Sequence, residues 1–272
     1  MSFELPPSLQ TDSDEQALSQ LRGYYDPPFG SKGSCTGAAF DDWDSTGHRA
    51  DDLDRFTADD LVAVTFLSVK VLAPAAYRLL GPDSGYFNDL LAAVGKDRDF
   101  VEVAPEETTP DSAAWTLERE LRTLPEVGHT IASKLMARKR PRLVPIYDDV
   151  LRQVMGLDKA HWLPLNAALR AGNQALHHRL LALRDKAELP ASVSALRVLD
   201  VIAWRDGKTL ATDVAAWRRA SPGGLLAPGR TRQDFLSAGS QHLYKSVALG
   251  LGNREGVLAL DRSPVACVVA PG

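Results

Sequence analysis

Apolar positions recur at helical spacing along most of this chain, and the elements they mark are helices. A short helix fits Glu15–Tyr25. Thr57 has the chemistry of an N-cap, with Asp59 and Asp60 favourable in the turn that follows. The run LVAVTFLSVKVLAPAAYRLLG reads as a buried helix that Pro74 kinks or ends and Gly81 stops. Phe87, Leu90, Leu91 and Val94 share one face of a helix over Tyr86–Val94. Asp111 is placed to cap a helix over Ser112–Leu121. Further helices are expected from the turn at 124–128 to Lys139, from Ile146 to Met155, and over Ala160–Ala171, Asn173–Leu189 and Ser192–Ala203. Asp213–Arg219 continues helically. Val193, Leu196, Leu199 and Ile202 align on one face of the Ser192–Ala203 helix, with Asp200 toward its edge.

The pattern is less regular at both ends. Residues 1–56 are rich in Asp, Gly, Pro and Ser and read as a partly irregular, acidic N-terminal arm. Residues 57–220 form the helical domain. Residues 221–272 open with SPGGLLAPGRTR and read as a Pro/Gly-rich tail, with a weak strand pattern at Val257–Val269. The fold class expected is mainly α.

Charge follows the same division. The first 60 residues hold 13 acidic and 4 basic side chains, and the remaining 212 hold 22 and 27. A basic body behind an acidic front suits a polyanionic partner. Within the front, DDWDSTGHRADDLD reads as a solvated loop. Asp41, Asp42, Asp44 and Asp51 are the alternative oxygen donors for a hard cation, although their spacing is not that of a calcium loop. Cys35 and Cys267 are too few for an iron–sulfur cluster, and no cofactor is expected. No apolar run follows a basic start, and none reaches the ~18 residues needed to span a bilayer. No membrane partner is expected, and the cytoplasm is the expected location.

The chemistry concentrates between Leu124 and Asp149. In LPEVG, Pro125 fixes φ and Gly128 is expected to permit a tight turn, while Leu124 and Val127 anchor it in the core. Exposed amides where the next helix begins suit a phosphate. The residues expected there are Val127, Gly128, His129 and Thr130. Lys134 and Arg138 lie at i and i+4, and Lys139, Arg140 and Arg142 follow. Four such cations on phosphates would give log affinity a slope of about −3.6 against log salt. The plain reading of the same residues is a helix corner with a solvated basic face. After the turn helix comes PIYDDVL, where Asp148 and Asp149 either cap a helix or carry chemistry, and Tyr147 is either a buried ring or a stacking platform.

The LPEVG turn followed by the acidic pair resembles the helix-hairpin-helix DNA glycosylase superfamily over residues 110–157. One departure is Glu126, where the usual form has Gly. The resemblance implies a carboxylate at the start of the next helix, facing a nucleotide flipped from the duplex. That carboxylate stabilises positive charge developing on the sugar or activates water. Asp148 is the better candidate, with Asp149 beside it. Some relatives carry a strand-cutting Lys at the position of Thr130, so the resemblance implies base release alone. CTGAAFDDWD, FTADDLVAVTFLSV and ARKRPRLVPIYDDV also resemble an uncharacterised bacterial family of helical proteins, which implies a shared fold only. The expected function is duplex DNA binding, with base release as its possible chemistry. The alternative is a non-catalytic interaction or regulatory protein that keeps the hairpin as scaffold. His177 and His178, adjacent on a helix, are expected at the surface.

Overall fold

The computed structural model describes residues 3–158 and 161–220. Its regular elements are all helical. They are α1 (Glu15–Tyr25), α2 (Ala58–Phe66), α3 (Ala73–Leu80), α4 (Ser84–Ala93), α5 (Ala113–Leu121), α6 (His129–Lys139), α7 (Asp149–Val154), α8 (Trp162–Lys186) and α9 (Ala195–Ala220), with short 3-10 turns between. α9 packs against α1, α7 and α8, α2 lies on α6, and α4 lies on α5. The tail expected over 221–272 lies outside the described residues.

Several boundaries differ from the sequence reading for local reasons. The long apolar run is two helices. α2 ends at Phe66, Ser68 takes a positive φ of 61°, and Pro74 sits in the first turn of α3. Proline is favoured there because that amide has no helical acceptor, so Pro74 begins a helix. The cap of α5 is Ser112, whose Oγ accepts from the Trp115 amide at 3.3 Å, one residue after the Asp111 expected. α7 is shorter than the Ile146–Met155 span. α8, by contrast, leaves helical geometry at Ala171–Gln174, where Gly172, Asn173 and Gln174 have positive φ, so it is two helical segments that meet where the sequence separates Ala160–Ala171 from Asn173–Leu189. α9 joins the two C-terminal helical stretches into one. His177 is buried, with Nε2 3.9 Å from Asp99, in place of the expected surface position.

The acidic front is not a free arm. Leu9, Leu21, Tyr24, Phe40 and Phe56 are buried in the same core as Leu117, Leu135, Leu151, Leu180 and Val198. Each such large side chain contributes about 1.5–3 kcal/mol when taken fully out of water. A Cβ at Gly37 would meet the Tyr24 hydroxyl at 1.9 Å, so the 36–39 turn sits close on α1.

Buried charge ties the two ends of the chain together. Arg197 on α9 is 5% exposed. Its Nε donates to both oxygens of Asp41 at 3.1 Å, and Nη2 donates to the Tyr24 hydroxyl and the Gly37 carbonyl at 2.9 Å. Nη1 donates to Asp200, one turn along α9. The guanidinium also stacks over the Tyr24 ring, 5.4 Å from its centroid. Burial pushes the Asp41 and Asp200 carboxyls above their usual range, against the pull of Arg197, and pushes the Tyr24 hydroxyl up to about 12. Nearby, Asp206 accepts from the Ser8 amide (2.9 Å), the Ser8 hydroxyl (2.6 Å) and Gln20 (2.7 Å).

Removing one partner of such a cluster leaves the others charged and dry. Arg197→Leu is therefore expected to cost about 3–5 kcal/mol of unfolding free energy, read from urea titration, and Arg197→Lys to recover only part of it because an ammonium cannot span the fork. A loss below about 1 kcal/mol for the leucine variant would contradict this reading.

Candidate nucleic-acid interface

α5 and α6 are joined by a turn built as the sequence suggests in part. Leu124 and Val127 are buried anchors, and the Val127 amide donates to the Leu124 carbonyl at 3.2 Å. The left-handed residue is Glu126, with φ 60°. Gly128 is extended (φ −93°, ψ −175°), so the turn does not need glycine there for its backbone. Gly128 is exposed, and a Cβ built on it would meet nothing within 4 Å. No side chain caps α6. The first amides of α6 have no helical acceptor, so the start of this helix presents open donors. His129 and Thr130 lie beside them, half-buried.

The cations expected to support this site face inward. Lys134, Arg138, Lys139 and Arg140 are 5, 2, 4 and 2% exposed. Arg138 donates to the Phe40 carbonyl at 2.7 Å and to those of Asp41 and Trp43, with Asp60 3.5 Å away. Lys139 reaches Asp60 at 2.5 Å and the Asp52 carbonyl at 3.0 Å. Arg140 uses all five of its N–H donors, on the carbonyls of Gly95, Leu53, Lys139 and Leu91 and on Asp54. Burial lowers the Lys139 ammonium and pulls Arg138 down to about 10. Their partners are the 40–54 segment, Asp60 and the end of α4, not phosphate. Arg142 alone of the run is exposed. Its fork grips Asp99 at 2.9 and 2.6 Å and holds that carboxyl below its usual range.

The three residues considered for chemistry are separated in role. Asp148 caps α7, its Oδ1 accepting from the Val150 amide at 2.9 Å, and its Oδ2 accepts from Lys134 at 3.1 Å. Lys134 also donates to the Leu67 carbonyl at 3.0 Å. Asp149 is exposed, with Arg152 3.4 Å away. Tyr147 is half-buried, its ring 5.6 Å from that of His129 and 5.2 Å from that of His161. Its amide donates to Ser133 Oγ at 2.9 Å, which ties the Asp148 segment to α6.

Between the hairpin and this segment lies a pocket of about 10 Å3, lined by Trp115, Glu118, His129, Ser133, Met136, Tyr147, His161 and Trp162. That is room for about one water and not for a base. Glu118 is buried and its Oε1 lies 2.8 Å from His129 Nδ1, so the imidazole at the start of α6 is fixed by a carboxylate from α5. Sequence reading took Trp115 and Trp162 as core rings and missed Glu118 and His161 beside them, since the two stretches are more than 40 residues apart and no spacing links them. It also missed Arg197, although a charged i, i+3 pair on an otherwise apolar helix face was the available signal. Of the alternative cation donors, Asp41 turns in to Arg197. Asp44 accepts from the Thr46, Gly47 and Arg49 amides of its own loop. Among the described residues no cluster of three or more His, Cys, Asp or Glu is arranged to hold a metal ion. No helix is long and apolar enough to cross a membrane among them.

The chain belongs to a family of unknown function (DUF6308), whose match covers residues 17–207. The match spans both the acidic front and the helices, in keeping with their shared core. No curated protein and no solved structure matches the chain.

Asp148→Asn keeps the cap acceptor but leaves Lys134 without its counter-charge. The variant is expected to lose about 3 kcal/mol of stability by thermal or urea unfolding. An unchanged midpoint would mean that the Lys134 pairing contributes nothing to the fold.

Proposed function

We propose that the protein binds the backbone of duplex nucleic acid through the turn Val127–Thr130 and performs no chemistry on the bases. The observation that carries this reading is the uncapped, open start of α6 behind an exposed Gly128. Backbone amides at a helix start, helped by the helix dipole, accept a phosphate without a charged side chain. The buried anchors Leu124 and Val127 hold the turn rigid, so little ordering is needed on binding. Base release is not part of the proposal because Asp148 is already committed to Lys134 and to the cap of α7, and the gap beside Tyr147 admits about one water.

A second reading, an interaction protein that keeps the hairpin as scaffold, is favoured by the burial of Arg138, Lys139 and Arg140. Salt dependence and Glu126 separate the two. With those cations unavailable, Arg119 and Arg122 are the exposed cations closest in sequence to the turn. Retention on duplex DNA is then expected to fall with a log–log slope near −1.8, half of that for four contacts. Glu126→Gly removes a carboxylate from the approach and relieves a left-handed residue. It is expected to tighten DNA binding and to add about 1 kcal/mol of stability. Absence of DNA binding in both forms, with the stability gain intact, would discard the nucleic-acid reading and leave the scaffold.

A further inference from the structure

A second cavity, of about 280 Å3, opens on another side of Trp162, between the end of α4, the 98–111 connection and the start of α5. Its floor is apolar. Val94, Val103, Ala114, Leu143 and Trp162 line it and are each no more than 8% exposed. Its rim carries Arg98, Glu106, Glu107 and Asp111, one positive and three negative side chains, for a net of −2. Arg98 is neutralised by Glu107, which also accepts from the Ala104 amide at 3.2 Å. Glu106 and Asp111 are exposed and have no ion-pair partner among the described residues.

The shape and the charge select a ligand class together. Sites for drug-sized molecules run to about 300–1,000 Å3, so this cleft suits one side chain or a small metabolite. The apolar floor favours an apolar stem, at about 25 cal/mol for each Å2 removed from water. The rim repels phosphate and carboxylate and attracts a cation. Arg98, already paired, offers an anion no free charge. We propose that the cleft binds an organic cation, a guanidinium or primary ammonium on a short apolar stem. The stem lies on the Val103–Trp162 floor, and the head lies at the Glu106 and Asp111 rim. The same chemistry arrives as a free amine or as an arginine or lysine side chain of a peptide.

The test is calorimetric titration of the full chain with agmatine, with a short end-blocked peptide whose one charged residue is arginine, and with hexanoate as an apolar stem of opposite charge. NMR shifts at the Ala113 and Ala114 amides locate the site. Saturable binding of agmatine assigns the cleft to a small free ligand, and binding of the peptide alone assigns it to a partner's side chain. In either case Glu106→Gln with Asp111→Asn is expected to weaken affinity at least about tenfold. The unfolding midpoint should stay unchanged, because both positions are at the surface. No saturation with either cation, equal affinity in the double variant, or competition by hexanoate would overturn the proposal.

Discussion

A guanidinium or ammonium can leave water only if its donors find oxygens, and this protein meets that demand with its own backbone. Arg138, Lys139 and Arg140, at the C-terminal end of α6, point into the loops of the acidic front, where carbonyls of residues 40–54 and the carboxylates of Asp54 and Asp60 receive them. The negative end of the α6 dipole favours cations at the same place. Arg197 repeats the arrangement from α9 onto Asp41, Tyr24 and the Gly37 carbonyl. The irregular front has few ladder bonds of its own, and these cations supply its carbonyls with donors. Fold and charge pattern are therefore linked: Asp41, Asp54 and Asp60 of the acidic front are the counter-charges of cations buried further along the chain.

This changes what the most conspicuous basic stretch can do. ARKRPR is not a face for a polyanion, because three of its cations are nearly inaccessible and each already holds two or more oxygens. Peeling the 40–54 segment away to expose them would also bring Phe40 and Phe56 into water and strand several desolvated charges. What stays accessible is the other end of α6. There Gly128 leaves the helix start open, and the buried Glu118 fixes His129 beside it. A site of backbone amides with few mobile charges would bind an anion modestly and by shape.

Much of the helical plan was legible in the chain. Periodicity located α1, α4, α6 and the break within α8 to within a few residues, because amphipathic faces and glycine signals are local. The hairpin turn was legible through Leu124 and Val127. Its left-handed residue was not, since Glu126 occupies a conformation that glycine usually marks and the sequence offers Gly128 as a decoy. The sense of the basic run was also hidden. Charge is written in the sequence, but whether Arg140 meets water or the carbonyls of Leu53 and Gly95 depends on contacts across tens of residues. For the same reason Asp148 could be read as a catalytic group. Its lysine partner, 14 residues upstream, is invisible until α6 and α7 are placed together.

Buried cations fasten the acidic front to α6 and α9, and the three are expected to behave as a single cooperative unit. Native-state hydrogen exchange reads this by comparing the Phe40, Trp43 and Phe56 amides with that of Ala132 in α6 and that of Arg140 at its C-terminal cap. Both groups are expected to exchange through one opening with the same free energy and the same denaturant dependence. Rapid exchange of Phe40, Trp43 and Phe56 while α6 stays protected would show a front that opens alone, and would contradict that expectation.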